Sequence, residues 1–124
     1  WESTLKPRLR ERLRKSQNIV LFLSERTISS QALREEIDYG INTLGLPVIV
    51  VYPDYTTKES ILSNNILEQA VQDLWGKLPI FRDSMNKVPT LHVPMSQNLI
   101  SQALKSSGFK LATKKAPDVY RYTV

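Results

Sequence analysis

Hydroxyl side chains gather where the first strongly apolar run of the sequence ends. Ser24, Thr27 and Ser30 follow Asn18-Ile19-Val20-Leu21-Phe22-Leu23, and two carboxylates, Glu35 and Glu36, come soon after. Such groups bind polar ligands by hydrogen bonding, but Ser or Thr nucleophilic catalysis also needs a base, and none stands at useful spacing. The chain of 124 residues has no cysteine and one histidine, His92. That excludes disulfide frameworks, thiolate metal sites and cysteine nucleophiles, and it argues against a zinc site or a Ser-His-Asp triad, so no metal is expected. Its four glycines are isolated, which excludes the usual dinucleotide fingerprint. On residue type alone, Glu36 reads as a solvated helix carboxylate paired with an exposed base. Arg26 and Arg34 read as members of surface ion pairs, His92 as a packed structural histidine, and Trp75 and Phe81 as residues closing the core. Glu35 lies about 100° further around the same helix and is expected to point to solvent.

These residues need elements to hold them. Leu5, Leu9 and Leu13 recur every four residues and predict an amphipathic helix over 4–15, with Pro7 tolerated in its first turn. Asn18 to Ser24 is a continuous apolar run suited to a strand covered on both faces. Glu25 to Ser29 is a loop, and Ser29 or Ser30 can cap a second helix over about Gln31 to Leu44, with Leu33, Ile37, Ile41 and Leu44 as its buried stripe. Gly45 and Pro47 end that helix. Val48 to Tyr52 is a second buried-type strand.

Beyond it the pattern predicts a helix over Ile66 to Trp75, a loop with a short turn over Lys77 to Lys87, and a third strand over Val88 to Val93. Pro89 and Pro94 mark that strand as an edge or as bounded by its ends. Ser96 caps a last helix over Gln97 to Ser106, with Leu99, Ile100, Ala103 and Leu104 inward. Tyr120 to Val124 is a short terminal strand or a loose tail. Strands alternating with helices predict one parallel α/β domain over 1–124. The chain opens with a helix, and with Trp1 in place of Met. It is therefore expected to be a fragment or processed chain whose upstream sequence supplies one or two further strands.

Charge is uneven. Residues 1–16 hold six cations against Glu2 and Glu11, and residues 105–124 hold five against Asp118, while the middle carries six basic and nine acidic residues. Two basic patches suit phosphate-bearing partners; the plainer reading is a solvated helix face and a soluble tail. The N-terminal cluster has no interleaved aromatics to stack on bases, so nucleic acid is a lesser alternative. No apolar stretch approaches a membrane span and no signal-like segment is visible, so the expected location is the cytoplasm.

Four stretches carry a resemblance. Leu9-Arg10-Glu11-Arg12-Leu13-Arg14-Lys15-Ser16 is a basic helix ending in serine. Asn18 to Thr27 is a strand with a Ser/Glu/Thr loop. Ser30-Gln31-Ala32-Leu33-Arg34-Glu35-Glu36-Ile37 is similar to a box of Ser, any residue, Trp, Cys, two residues, Glu, then Leu or Ile. Thr90-Leu91-His92-Val93-Pro94 is similar to a last strand. Together, from about Arg8 to Leu104 and weakest over 55–87, the sequence resembles the TIR-like family related to the ThsB proteins of the Thoeris antiphage defence system. The resemblance implies a flavodoxin-like three-layer parallel sheet and a defence signalling role. It also implies the NAD-cleaving hydrolase chemistry of catalytic TIR domains, which break the nicotinamide–ribose bond and can release a cyclic ADP-ribose-type signal. On it Glu36 falls on the catalytic glutamate and Ser30 on the box serine, while the tryptophan position holds Ala32. The family's first strand and its loop have no counterpart.

The chemistry fits those residue types. Pyridinium is already a good leaving group, so the demand is for negative charge near an oxocarbenium-like ribose and for hydrogen bonds to its hydroxyls. One fixed carboxylate at the shoulder of the helix, facing the strand end at Ser24, meets both. Ligands of open parallel sheets gather there, beside Ser24, Thr27 and Ser30 as substrate-binding hydroxyls and the helix N-terminus. NAD would be a substrate, with no resident cofactor. The alternative is a non-catalytic TIR-like module that acts by self-association.

Overall fold

Apolar spacing decides most of the architecture, and a computed structural model shows how, describing residues 3–63 and 66–121. Helix α1 (Leu5–Arg14) turns Leu9 and Leu13 into the core. Leu5, expected on the same stripe, overhangs the end of the helix and is 56% exposed. Strand β1 (Ile19–Phe22) leads through a loop to α2 (Gln31–Ile37), which runs on into a π-helical turn over Asp38–Thr43. Leu33, Ile37 and Ile41 are buried as predicted. The helix stops at Gly45, whose φ of 67° is the left-handed conformation that glycine adopts without strain. Gly40 fits for a different reason: a Cβ there would overlap the Ile19 side chain. The bare backbone therefore lets this helix lie close on β1, which fixes Glu36 one turn earlier.

Strand β2 (Val48–Tyr52) is buried along its whole length. It is followed by α3 (Lys58–Ile61), β3 (Leu62–Ser63), β4 (Ile66–Leu67), α4 (Gln69–Gly76), α5 (Pro79–Ser84), β5 (Thr90–Pro94), α6 (Gln97–Lys105) and β6 (Val119–Arg121). Four strands form one all-parallel sheet in the order β1-β2-β5-β6, with Ile19 opposite Val48, Val48 opposite Thr90 and Thr90 opposite Val119. One face carries Ile19, Leu21, Val48, Val50 and Tyr52 against α1, α2, α4 and α5. The other carries Ile49, Val51, Leu91 and Val93 against α6 and the turn at Phe109. Helices on both faces of a parallel sheet make the three-layer, flavodoxin-like arrangement.

β5 lies between β2 and β6, so of the two readings of its prolines, an edge or a strand bounded by its ends, the second holds. Pro94 is its last residue, opposite Tyr52 of β2, and Pro89 lies just outside it, where its carbonyl accepts from Val48 N at 3.0 Å, so both prolines stand at the ends of the strand. Several expectations are corrected. The predicted helix from Ile66 begins only at Gln69, because Ile66–Leu67 pairs antiparallel with Leu62–Ser63. The predicted loop over 77–87 contains α5, started by Pro79 at its first position, and a 3-10 turn over Met85–Lys87, with Leu78, Phe81 and Met85 buried. Leu104 does not point inward; it is 43% exposed, and Ala103 is the buried residue of α6. The terminal strand is paired with β5 through Arg121, and the rest of the predicted segment, 122–124, lies outside the described residues. Among the described residues no helix is long and apolar enough to cross a membrane.

Candidate functional site

The loop after β1 is folded by its own side chains. The Thr27 hydroxyl donates to the Phe22 carbonyl at 2.6 Å and accepts from Ser24 N at 3.0 Å. The Ser24 hydroxyl accepts from Arg26 N at 3.2 Å, and Ser24 is buried. Ser30 caps α2, its Oγ accepting from Leu33 N at 3.2 Å. That cap sets where the helix starts, and so sets which residues of the first two turns face β1. Ser30 still has its own hydroxyl proton to offer, whereas the Thr27 proton is already given to the strand.

Glu36 stands at the meeting of two concavities. One, of about 180 Å³, is walled by Val20, Leu21 and Phe22 of β1, Thr27, Ser30, Ala32 and Leu33. The other, of about 490 Å³, is walled by Leu5, Arg8, Leu9 and Arg12 of α1 with Ala32. Ala32 and Glu36 line both. The small side chain at the position where the TIR box has tryptophan is thus part of the wall between them. Of the three predicted hydroxyls, the structure brings Thr27 and Ser30 to Glu36. Ser24 is turned into its loop and lines neither concavity, a correction whose cause is the local bond to Arg26 N.

The carboxyl of Glu36 is half-buried. Burial raises its pKa above the ordinary carboxylate value, and the Arg12 guanidinium, 3.8 Å away, pulls in the opposite direction without cancelling the effect. Glu35 behaves differently from expectation. Its side chain is 11% exposed, not solvent-facing, because Arg10 Nε of α1 donates to it at 2.5 Å and the Arg10 guanidinium lies 4.7 Å over the Tyr39 ring. Arg34 reaches back to the Ser30 carbonyl at 3.4 Å rather than to a carboxylate. Arg8 and Arg12 were legible only as part of a basic helix. Nothing in their own spacing signals that α1 lies beside α2 and delivers them to Glu36.

His92 lies elsewhere, fully buried on the sheet face under α4. Nδ1 is 2.6 Å from the Tyr52 hydroxyl, Nε2 is 2.9 Å from Thr90 Oγ1, and Trp75 Nε1 donates to the Tyr52 oxygen at 2.8 Å. Burial holds its pKa down to about 3, with the Arg121 charge adding to the effect. It is a packed histidine, as the sequence suggests, and Trp75 and Phe81 belong to the core beside it. Among the described residues no group of three or more His, Asp or Glu side chains is arranged to hold a metal ion.

The comparison with family models agrees with this geometry. The model described as Thoeris protein ThsB, TIR-like domain, matches residues 1–58, the stretch that contains α1, β1, α2, β2 and every residue lining the two concavities. Over residues 1–58 the chain is similar to the TIR-like domain of the Thoeris protein ThsB.

Proposed function

We propose that this TIR-like domain cleaves NAD at the nicotinamide–ribose bond. The observation that carries the reading is Glu36: a half-buried carboxylate with a raised pKa and no short ion pair, on the wall shared by two concavities at the end of β1. In the reaction the C–N bond between ribose and nicotinamide breaks, and its electron pair neutralises the pyridinium ring. The ribose carbon left behind becomes oxocarbenium-like, and the Glu36 carboxylate faces that developing charge from a site of reduced dielectric. The Ser30 hydroxyl is placed to donate to a ribose oxygen. Water then adds to the ribose carbon and releases a proton, giving ADP-ribose; addition of an adenine nitrogen in its place gives a cyclic product. No resident cofactor is required, and the cytoplasm is the setting in which this reading places the domain.

Incubation of the protein with NAD, with free nicotinamide and ADP-ribose-type products followed by chromatography, tests the reading. We expect turnover in the wild type and its loss in Glu36→Gln. A full-length folded protein that releases no nicotinamide ends the enzyme reading, and equal release by the variant removes Glu36 from the role.

A second reading, a TIR-like module acting by self-association, is favoured by the unpaired edge of β1 among the described residues and by exposed Phe22, Met95 and Leu104. Sedimentation across a concentration series separates the two: assembly without NAD turnover supports the module. Docking on nucleic acid is the lesser alternative, supported only by the density of cations on α1, and failure to retain DNA or RNA at low salt disposes of it.

A further inference from the structure

The larger concavity beside Glu36 has a composition that the cleavage chemistry itself does not use. Arg8 and Arg12 stand one helical turn apart on α1 and both line it. Leu5, Leu9 and Ala32 supply the apolar part of the wall, and Glu36 lines it with them. Cations elsewhere on α1 are already engaged with the protein. Arg10 is held by Glu35, and Arg14 Nη1 donates to the Tyr39 hydroxyl at 2.8 Å. Arg8 and Arg12 differ. Arg12 meets Glu36 only at 3.8 Å, and Arg8 pairs with no carboxylate among the described residues. Two guanidinium groups at i and i+4 project from the same side of a helix. Each presents a planar fork of donors suited to phosphate oxygens. A concavity of about 490 Å³ is within the range that encloses small ligands.

We infer that Arg8 and Arg12 form a clamp for the pyrophosphate of the ligand, so that the site selects a dinucleotide, or an ADP-ribose-type molecule, over a phosphate-free nucleoside. The inference rests on the reading of Glu36 as the ribose-facing carboxylate. The charges complement each other: a pyrophosphate brings two negative charges to two cations, and Arg12 lies between that charge and Glu36, screening one anion from the other. The apolar wall gives a planar ring a surface, and a ring laid there would cover Leu5, which is otherwise exposed. Arg8 is the cleaner probe, since it has no contact with Glu36 of the kind Arg12 makes.

The test compares wild type, Arg8→Ala and Arg8→Lys on NAD and on nicotinamide riboside, together with calorimetric binding of ADP-ribose. A hydrogen-bonded charge contact of this type is worth about tenfold or more in binding. We therefore expect the ratio of kcat/KM for NAD over nicotinamide riboside to fall about tenfold in Arg8→Ala, chiefly through KM, with partial recovery in Arg8→Lys. ADP-ribose should bind about tenfold more weakly to Arg8→Ala, and binding to wild type should weaken with added salt. An unchanged ratio with unchanged ADP-ribose affinity overturns the clamp and leaves the enzyme reading in place. Arg8-dependent ADP-ribose binding by a protein that releases no nicotinamide upholds the clamp and ends the enzyme reading. A wild type that cleaves NAD but binds ADP-ribose no better than it binds adenosine also overturns the clamp.

Discussion

Glu36 and His92 are both ionisable groups removed from water, and burial pushes each toward its neutral form. Their surroundings differ in kind. Both ring nitrogens of His92 and the hydroxyls beside them have a place: Trp75 donates to Tyr52, the Tyr52 hydroxyl can donate to Nδ1, and Nε2 is left as a donor to Thr90. A neutral imidazole satisfies that chain completely, and there is no room for a ligand. Around Glu36 the carboxylate faces two concavities and one distant cation. A structural group is recognised by its satisfied partners. A group held for chemistry is recognised by capacity left over, and only Glu36 has it.

The sharpest way to break this contrast is to neutralise each group in turn. Glu36→Gln keeps the shape and removes the charge. We expect NAD cleavage to fall by about a thousandfold, the scale on which a main electrostatic stabiliser acts, with nicotinamide release as the measurement. Stability should move the other way. A carboxyl whose folded pKa is raised contributes stability below its unfolded pKa and loses it as pH rises through the folded value. The wild type therefore carries a buried-charge penalty at pH 7 that the variant lacks, and Tm should stay level or rise. A marked fall in Tm would mean that Glu36 is a structural residue after all.

His92→Ala should do the opposite. It leaves the Tyr52 hydroxyl and Thr90 without their shared partner inside the core, together with a void, and we expect a loss of about 3 kcal/mol in denaturant unfolding. The histidine also gives the fold an acid limit. Its folded pKa of about 3 lies below the ordinary value of 6.5, so the unfolded chain binds a proton in that window and the native state does not. Stability should be flat in this respect above about pH 6.5 and fall toward pH 3, by up to about 1.4 kcal/mol per pH unit from this group. Unfolding free energies of wild type and His92→Phe across that range would show it: the variant should have the shallower slope.

The half of the molecule that holds the site was also the half most legible in the sequence. Leu9 and Leu13, the run Ile19 to Phe22, the stripe Leu33, Ile37 and Ile41, and Val48 to Tyr52 each repeat one period long enough to fix an element. The second half offers shorter signals. Six residues of α5 give only Leu78, at the cap, and Phe81 as inward markers, too few to separate a helix from a loop. Ile66 and Leu67 continue the apolar pattern of the helix that follows and hide a change to strand. For α6, periodicity identified an apolar side, but not that nothing among the described residues would cover Leu104. The same division runs through the site. Glu36, Thr27 and Ser30 lie close in sequence, so strand and helix geometry brings them together. The engagement of Glu35 with Arg10, 25 residues away, and the arrival of Arg8 and Arg12 are products of α1 packing on α2, which no local pattern encodes.

That packing offers the finest way to sharpen the contrast. Arg12 is the cation that lowers the Glu36 pKa, while burial raises it by more. Cleavage that depends on the Glu36 carboxylate should rise with pH through the raised pKa and then level off. Removing Arg12 takes away the lowering influence only, so in Arg12→Ala the acid limb of kcat should move to higher pH. The shift should be a fraction of a pH unit, since the guanidinium is 3.8 Å away and its side chain 68% exposed. Arg8→Ala, which weakens ligand binding without adjoining the carboxyl, should leave the limb of kcat where it is. Two arginines one turn apart on α1 would thus be separated by measurement, both read in KM but Arg12 alone in the pH profile of kcat. An identical limb in both variants would show that Arg12 does not act on the carboxyl at all.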